Sequence, residues 1–159
     1  MSEHPPLTEA VRLPSPAVAH GSKRVAVLGA GSWGTTFAKV LADGGADVLI
    51  WARRREVAHE ITETHRNSGY LPGINLPPNL RGHDSLEHVL AGAEQVYLSV
   101  PSQSLRSNLA SIRDILPPDV PVVSLMKGVE RGTGLRMSEV IEQELGIDRG
   151  RIAAVSGPN

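Results

Sequence analysis

Val25-Ala26-Val27-Leu28-Gly29-Ala30-Gly31-Ser32-Trp33-Gly34 reads as a short apolar strand, a glycine turn and the start of a helix. Phe37, Val40 and Leu41 follow at i, i+3 and i+4 as an apolar helix face, and Gly44-Gly45 ends that helix. The G-x-G-x-x-G spacing gives each glycine its own mechanical task. Gly29 makes the tight turn, Gly31 lets a pyrophosphate approach the backbone, and Gly34 lets the helix pack closely on the strand. Phosphates bound there face the free N–H groups and the positive dipole end of the helix. The chain holds 16 glycines, so the spacing alone would be a weak signal. Its context strengthens it, because Val48-Leu49-Ile50-Trp51 supplies the next strand and completes a dinucleotide-binding βαβ unit.

Outward from this unit the alternation continues. Val57, Ala58 and Ile61 share one face of a helix that fades near Asn67-Ser68-Gly69, and a long loop follows with Tyr70-Leu71-Pro72-Gly73 and Leu76-Pro77-Pro78. Proline removes a donor and restricts its predecessor, so the loop excludes regular helix. A loop of that length in a compact domain is often functional. Leu86, Val89 and Leu90 mark a short helix capped by Asp84 or Ser85, and residues 95–100 form a buried strand stopped by Pro101. Leu105, Leu109, Ile112 and Leu116 predict a helix running to Pro117-Pro118. Residues 122–125 are the fifth strand, Met137, Val140, Ile141 and Leu145 define a helix ended by Gly146, and residues 152–155 are the last strand. The pattern is βαβαβ twice over. It predicts an α/β fold, a doubly wound and mostly parallel sheet of the Rossmann type for residues 23–159.

Composition bounds the function. A chain of 159 residues with 40% hydrophobic content accommodates one such domain with a tail. The tail is residues 1–22, which hold Pro5, Pro6, Pro14 and Pro16 without a sustained apolar period and are expected to be disordered. They lack the patterns of signal and transit peptides. The net charge of −1 provides no field that would recruit nucleic acid or an anionic membrane, so any anion site must be local. No apolar run approaches the ~20 residues of a membrane span. The absence of cysteine excludes disulfides and thiolate chemistry and fits a cytoplasmic location. His59 with His65, and His83 with His88, lack the i, i+4 spacing of a helical zinc pair, so no metal site is expected. Nucleophile-elbow and nucleoside triphosphate loop motifs are absent.

Ligands of doubly wound sheets bind outside the carboxyl ends of the strands. Gly29 to Trp33, Arg53 and Arg54, Pro101 and Ser102, Lys127, and Ser156-Gly157-Pro158-Asn159 all occupy such ends. An NAD site usually places an acid at the second strand end, to accept from the ribose hydroxyl. Here Arg53 and Arg54 offer a bidentate match to a 2′-phosphate, so NADPH is favoured over NADH. On position, Lys127 is suited to a phosphate or carboxylate contact.

Six segments together resemble the bacterial NAD(P)-dependent sn-glycerol-3-phosphate dehydrogenase family. They are Gly29-Ala30-Gly31-Ser32-Trp33-Gly34-Thr35, Trp51-Ala52-Arg53, Tyr70-Leu71-Pro72-Gly73, Val100-Pro101-Ser102, Lys127-Gly128-Val129-Glu130 and Ser156-Gly157-Pro158-Asn159. The resemblance covers residues 24–159. It implies reversible hydride transfer between NAD(P)H and dihydroxyacetone phosphate, giving sn-glycerol 3-phosphate for phospholipid synthesis. It implies cofactor contacts for Ser32, Trp33, Arg53, Arg54 and Tyr70, a shared cofactor and substrate role for Lys127, and substrate contacts for Gly157 and Asn159. It is compatible with a homodimer of the full-length protein. The family's catalytic lysine and much of its substrate pocket belong to a helical second domain that this chain does not contain. No catalytic residue is therefore expected here, and the chain alone is expected to be inactive. The alternatives are another two-domain reductase of ketopantoate or 6-phosphogluconate type, which the Tyr-Leu-Pro-Gly loop and the Lys-Gly-x-Glu segment disfavour, and a non-catalytic NADPH-binding module.

Overall fold

The computed structural model describes residues 22–156, so the expectations for the tail lie, apart from Ser22, outside the described residues. Eleven strands and helices alternate in chain order: β1 Arg24–Leu28, α1 Ser32–Asp43, β2 Asp47–Trp51, α2 Arg55–Thr64, β3 Leu80–His83, α3 Leu86–Leu90, β4 Gln95–Leu98, α4 Leu105–Ile112, β5 Val122–Ser124, α5 Met137–Leu145 and β6 Ile152–Ala154. The strands form one six-stranded sheet in the order β3-β2-β1-β4-β5-β6, every pair parallel. This is the doubly wound α/β arrangement that the alternation predicts. Successive strands step outward from β1 in one direction and from β4 in the other, which opens a crevice between them at their carboxyl ends.

Alternation along β1 divides the core. Val25 and Val27 face one apolar cluster with Ala38, Ala42, Ile50, Ala58, Ile61 and Leu80, under α1 and α2. Ala26 and Leu28 face the other, with Leu49, Leu98, Leu105, Leu109, Val140 and Ile141, under α3, α4 and α5. A parallel sheet covered on both faces explains why its central strands read as continuous apolar runs.

Three details differ from the sequence expectations. The buried face of α1 is Gly34, Thr35, Ala38 and Ala42, while Phe37 and Leu41 lie on its flank and Val40 is 60% exposed. Small side chains face the sheet because the glycine turn brings the helix too close for large ones. The sequence pattern leaves the third strand unplaced, and the structure finds it as β3, Leu-Arg-Gly-His, at the sheet edge. A Cβ on Gly82 would sit 2.6 Å from the Ala58 carbonyl oxygen, so glycine is what allows α2 to press on this strand. Thr62 fastens the same contact, its hydroxyl donating to the Gly82 carbonyl and accepting from the Gly82 N–H, both at 2.9 Å. Finally, α4 ends at Ile112, earlier than the prolines require, and the chain continues in a turn in which the N–H groups of Ile115 and Leu116 both reach the Ile112 carbonyl.

Candidate functional site

The glycine turn meets the far half of the sheet directly. Gly29 has φ +117°, a region that disfavours side chains, and a Cβ there would overlap the carbonyl group of Ser99 just beyond β4. A Cβ on Gly34 would overlap the Gly29 carbonyl oxygen and lie 3.1 Å from the Ser99 Cβ. Gly31 differs from both. It has ordinary angles, φ −75° and ψ −177°, and a Cβ there would meet no protein atom within 4 Å. Two glycines are thus required by the protein's own packing. The third keeps open the approach to the N-terminus of α1, which is the geometry that a pyrophosphate site needs.

That approach is one wall of a cleft of about 720 Å³, a volume ordinary for a cofactor site. Gly29, Gly31, Ser32, Trp33, Gly34, Arg53, Arg54, Tyr70 and Lys127 all line it, so every cofactor candidate within the described residues converges on one surface. Gly157 and Asn159, the remaining substrate candidates, lie outside the described residues. The lining holds three cationic side chains, Arg53, Arg54 and Lys127, and no carboxylate. The first turn of α1 carries no acid either, leaving its positive end uncompensated.

Individual side chains are held by identifiable bonds. Trp33 donates its indole N–H to the Leu125 carbonyl at 3.1 Å, spanning from α1 to the end of β5. Arg54 reaches the Tyr70 hydroxyl at 3.4 Å, and its guanidinium carbon lies 5.7 Å from the Tyr70 ring centroid, a cation–π geometry. Lys127 belongs to a loop that is braced from the α4 side. The Gln103 side chain donates to the Val129 carbonyl at 3.2 Å and accepts from the Arg131 N–H at 3.0 Å. Val129 and Arg136 close the loop with an antiparallel bridge.

Arg106 completes the brace, donating to both carboxylate oxygens of Glu130 at 2.8 Å and also to Glu144. Hydrogen bonds from Arg106, and then from Thr133, pull the Glu130 carboxyl down to about 2 from its ordinary 4.5. A depressed carboxylate contributes its stabilisation fully above the unfolded value and loses it as the pH falls through the folded one. The loop is therefore expected to loosen between pH 4.5 and about 2. Arg106→Met should move the Glu130 midpoint up toward 4.5 in a carbon-detected NMR titration. An unchanged midpoint would remove the ion pair as its cause.

Sequence reasoning passed over two parts of this site. Ser104, which precedes α4, and Ser107, Asn108 and Ser111 on it line the cleft. Their spacing of i, i+3, i+4 and i+7 is a polar stripe beside the Leu105, Leu109 and Ile112 face, and that period could have exposed it. The second is Asn67, buried beneath the glycine turn, for which the sequence offered only a helix end. His83 and His88 stack at 4.0 Å, and among the described residues no group of three His, Asp or Glu side chains could hold a metal ion. No helix among the described residues is long and apolar enough to cross a membrane.

Comparison with known proteins agrees with this geometry. Residues 24–159 match the family model described as the NAD-dependent glycerol-3-phosphate dehydrogenase N-terminus. A protein named glycerol-3-phosphate dehydrogenase [NAD(P)+] from Leifsonia xyli is 64% identical over 133 residues, covering 84% of this chain and 36% of that protein. Its namesake from Corynebacterium glutamicum is 53% identical over 135 residues, covering 85% and 41%. The crystal structure of glycerol-3-phosphate dehydrogenase from Coxiella burnetii superposes with a TM-score of 0.77 at 29% identity, covering 86% of this chain and 41% of that one. The chain thus spans well under half the length of these relatives. A glycine turn packed against Ser99, a cationic cleft at the sheet crevice and a family match over nearly all the described residues converge: the chain belongs to the NAD-dependent glycerol-3-phosphate dehydrogenase family, of which it carries the amino-terminal domain.

Proposed function

We propose that this chain is the cofactor-holding part of an NAD(P)-dependent enzyme that interconverts dihydroxyacetone phosphate and sn-glycerol 3-phosphate, with NADPH preferred. The observation that carries the proposal is the open backbone at Gly31 beside a cleft lined by three cations and no carboxylate. A dinucleotide with three phosphates fits that donor set. Backbone N–H groups at Gly31, Ser32 and Trp33 would receive the pyrophosphate, and Arg53 at the end of β2 would receive the 2′-phosphate. Tyr70 and Arg54 would flank the adenine, while Lys127 would face the substrate phosphate and the nicotinamide end. Gly157 and Asn159 join the substrate contacts in this reading. When bound, the reduced nicotinamide supplies the electron pair that turns a ketone into an alcohol.

In this reading the cleft residues bind and orient, and none of those among the described residues is assigned as the proton donor. A general acid typically contributes roughly 10²- to 10⁴-fold, and an enclosed, oriented site adds more. The cleft residues named here are suited to gripping phosphates rather than protonating an oxyanion. The reading extends to a cytoplasmic enzyme that dimerises as a full-length protein and supplies phospholipid synthesis.

Calorimetric titration with NADPH and NADH tests it. The parent chain is expected to bind NADPH more tightly, and Arg53→Ala with Arg54→Ala should weaken NADPH about tenfold or more while affecting NADH less, since hydrogen bonds to a charged group contribute roughly 1.5–3 kcal/mol each. Equal loss for both cofactors would show that the arginines do not read the 2′-phosphate. The same chain should leave dihydroxyacetone phosphate unreduced under saturating NADPH. Turnover approaching a typical ~10 s⁻¹ would mean that the catalytic groups lie within these 159 residues.

A further inference from the structure

Only three polar side chains among the described residues are buried, Thr35, Asn67 and Ser124, and two of them are bonded to each other. Asn67 is 1% exposed. Its amide nitrogen donates to the Ala30 carbonyl at 3.0 Å, inside the glycine turn, and to the Thr35 hydroxyl at 2.8 Å, on the first turns of α1. Its own main-chain carbonyl accepts from the N–H groups of Tyr70 at 3.2 Å and Leu71 at 2.7 Å. A continuous set of bonds therefore runs from the glycine turn through the Asn67 side chain and backbone to Tyr70. The Asn67 side-chain oxygen is buried without a partner. An apolar residue there would leave the Ala30 carbonyl without that donor, and what the amide adds is direction: two N–H bonds that fix where the turn at residues 67–71 sits.

Tyr70 needs such fixing. It is 41% exposed on a proline-containing loop, and its ring faces Arg54 across the cleft mouth. A ring that stacks on a purine base gains only if it already stands at the right height above the site, since the entropy of ordering it is otherwise lost on binding. We infer that Asn67 is a positioning residue for the nucleotide site, holding Tyr70 beside Arg54 at a set distance from the glycine turn. The inference rests on the reading of the cleft as a dinucleotide site and adds how its adenine end is kept in register with its pyrophosphate end.

The test is a double-mutant cycle on the 159-residue chain, read by NADPH titration and thermal melting. Tyr70→Ala should weaken NADPH roughly tenfold, as loss of a base-stacking ring does. Asn67→Ala should weaken it by a similar factor in the parent and by little once Tyr70 is alanine, whereas its effect on Tm should be the same in both backgrounds. Independent, multiplying losses of affinity would show that Asn67 does not act through Tyr70, and parental affinity in Asn67→Ala would show that it does not act at all. Either result overturns the inference alone. Failure of the parent to bind NADPH, or parental affinity in Tyr70→Ala, overturns the site reading beneath it. If Asn67→Ala does not fold, Thr35→Val takes its place in the cycle, removing one partner at nearly constant size with the same pattern expected. Independent losses there would overturn the inference equally.

Discussion

Gly31→Val is expected to melt within about 2 °C of the parent, in the range of ordinary surface substitutions, and to lose NADPH affinity by about a hundredfold or more. The first half follows from space and angles. A Cβ at this position meets nothing within 4 Å, and the backbone lies where any residue is comfortable. The second half follows from what the space is for. A branched side chain would stand between the N-terminus of α1 and an approaching pyrophosphate, so at least two hydrogen bonds to a charged group would be lost, each worth roughly 1.5–3 kcal/mol. Two such losses correspond to about a hundredfold or more in affinity. Titration calorimetry beside a melting curve measures both halves. Parental affinity in the variant would separate the glycine turn from nucleotide binding altogether.

Three residues further on, the outcome should invert. Gly34→Ala adds a single methyl group, yet that carbon would overlap the Gly29 carbonyl oxygen and crowd Ser99. Neither neighbour can yield by rotating a side chain out of the way. The first is main chain in a turn held at φ +117°, and the second is tied to β1 by the bond from its N–H to the Leu28 carbonyl at 2.8 Å. Overpacking in a well-filled interior costs about 1–3 kcal/mol, occasionally more. With backbone on the receiving side, a loss near 3 kcal/mol is expected, which lowers Tm by roughly 10 °C for a domain of this size. A melting curve indistinguishable from the parent's would mean that α1 can lift off β1 at little cost and that the close approach is incidental. Gly31 and Gly34 together thus separate the ligand's demand on the motif from the protein's own.

The fold was legible because the central strands are apolar and each is followed by its punctuation. The elements that escaped carry no such mark. β3 is a sheet-edge strand whose four residues include an arginine, a glycine and a histidine, and only the approach of α2 at Gly82 makes sense of it. The face of α1 was misread because hydrophobic periodicity weights large side chains. A helix drawn close to a sheet instead buries its smallest ones, here Gly34, Ala38 and Ala42. At the candidate site, position after a strand pointed to the glycines, Ser32, Trp33, Arg53, Arg54 and Lys127, while Tyr70 came from the resemblance, and all of them line the cleft. It gave no guide to Asn67, because a buried amide and a solvated loop amide look alike in a sequence. Nor did it reveal the serine stripe of α4, which a search for apolar residues passes over.

The two tryptophans give this arrangement an optical side. They are the chain's only indoles, both line the cleft, and each is pinned through its ring N–H to a main-chain carbonyl, Trp33 to Leu125 and Trp51 to Asp84. Indole emission overlaps the absorption of a reduced nicotinamide, so energy transfer from either ring would dim the chain's fluorescence as the cleft fills. The emission of the unlabelled chain is thus a gauge of its own cleft, with no tryptophan elsewhere to dilute the reading.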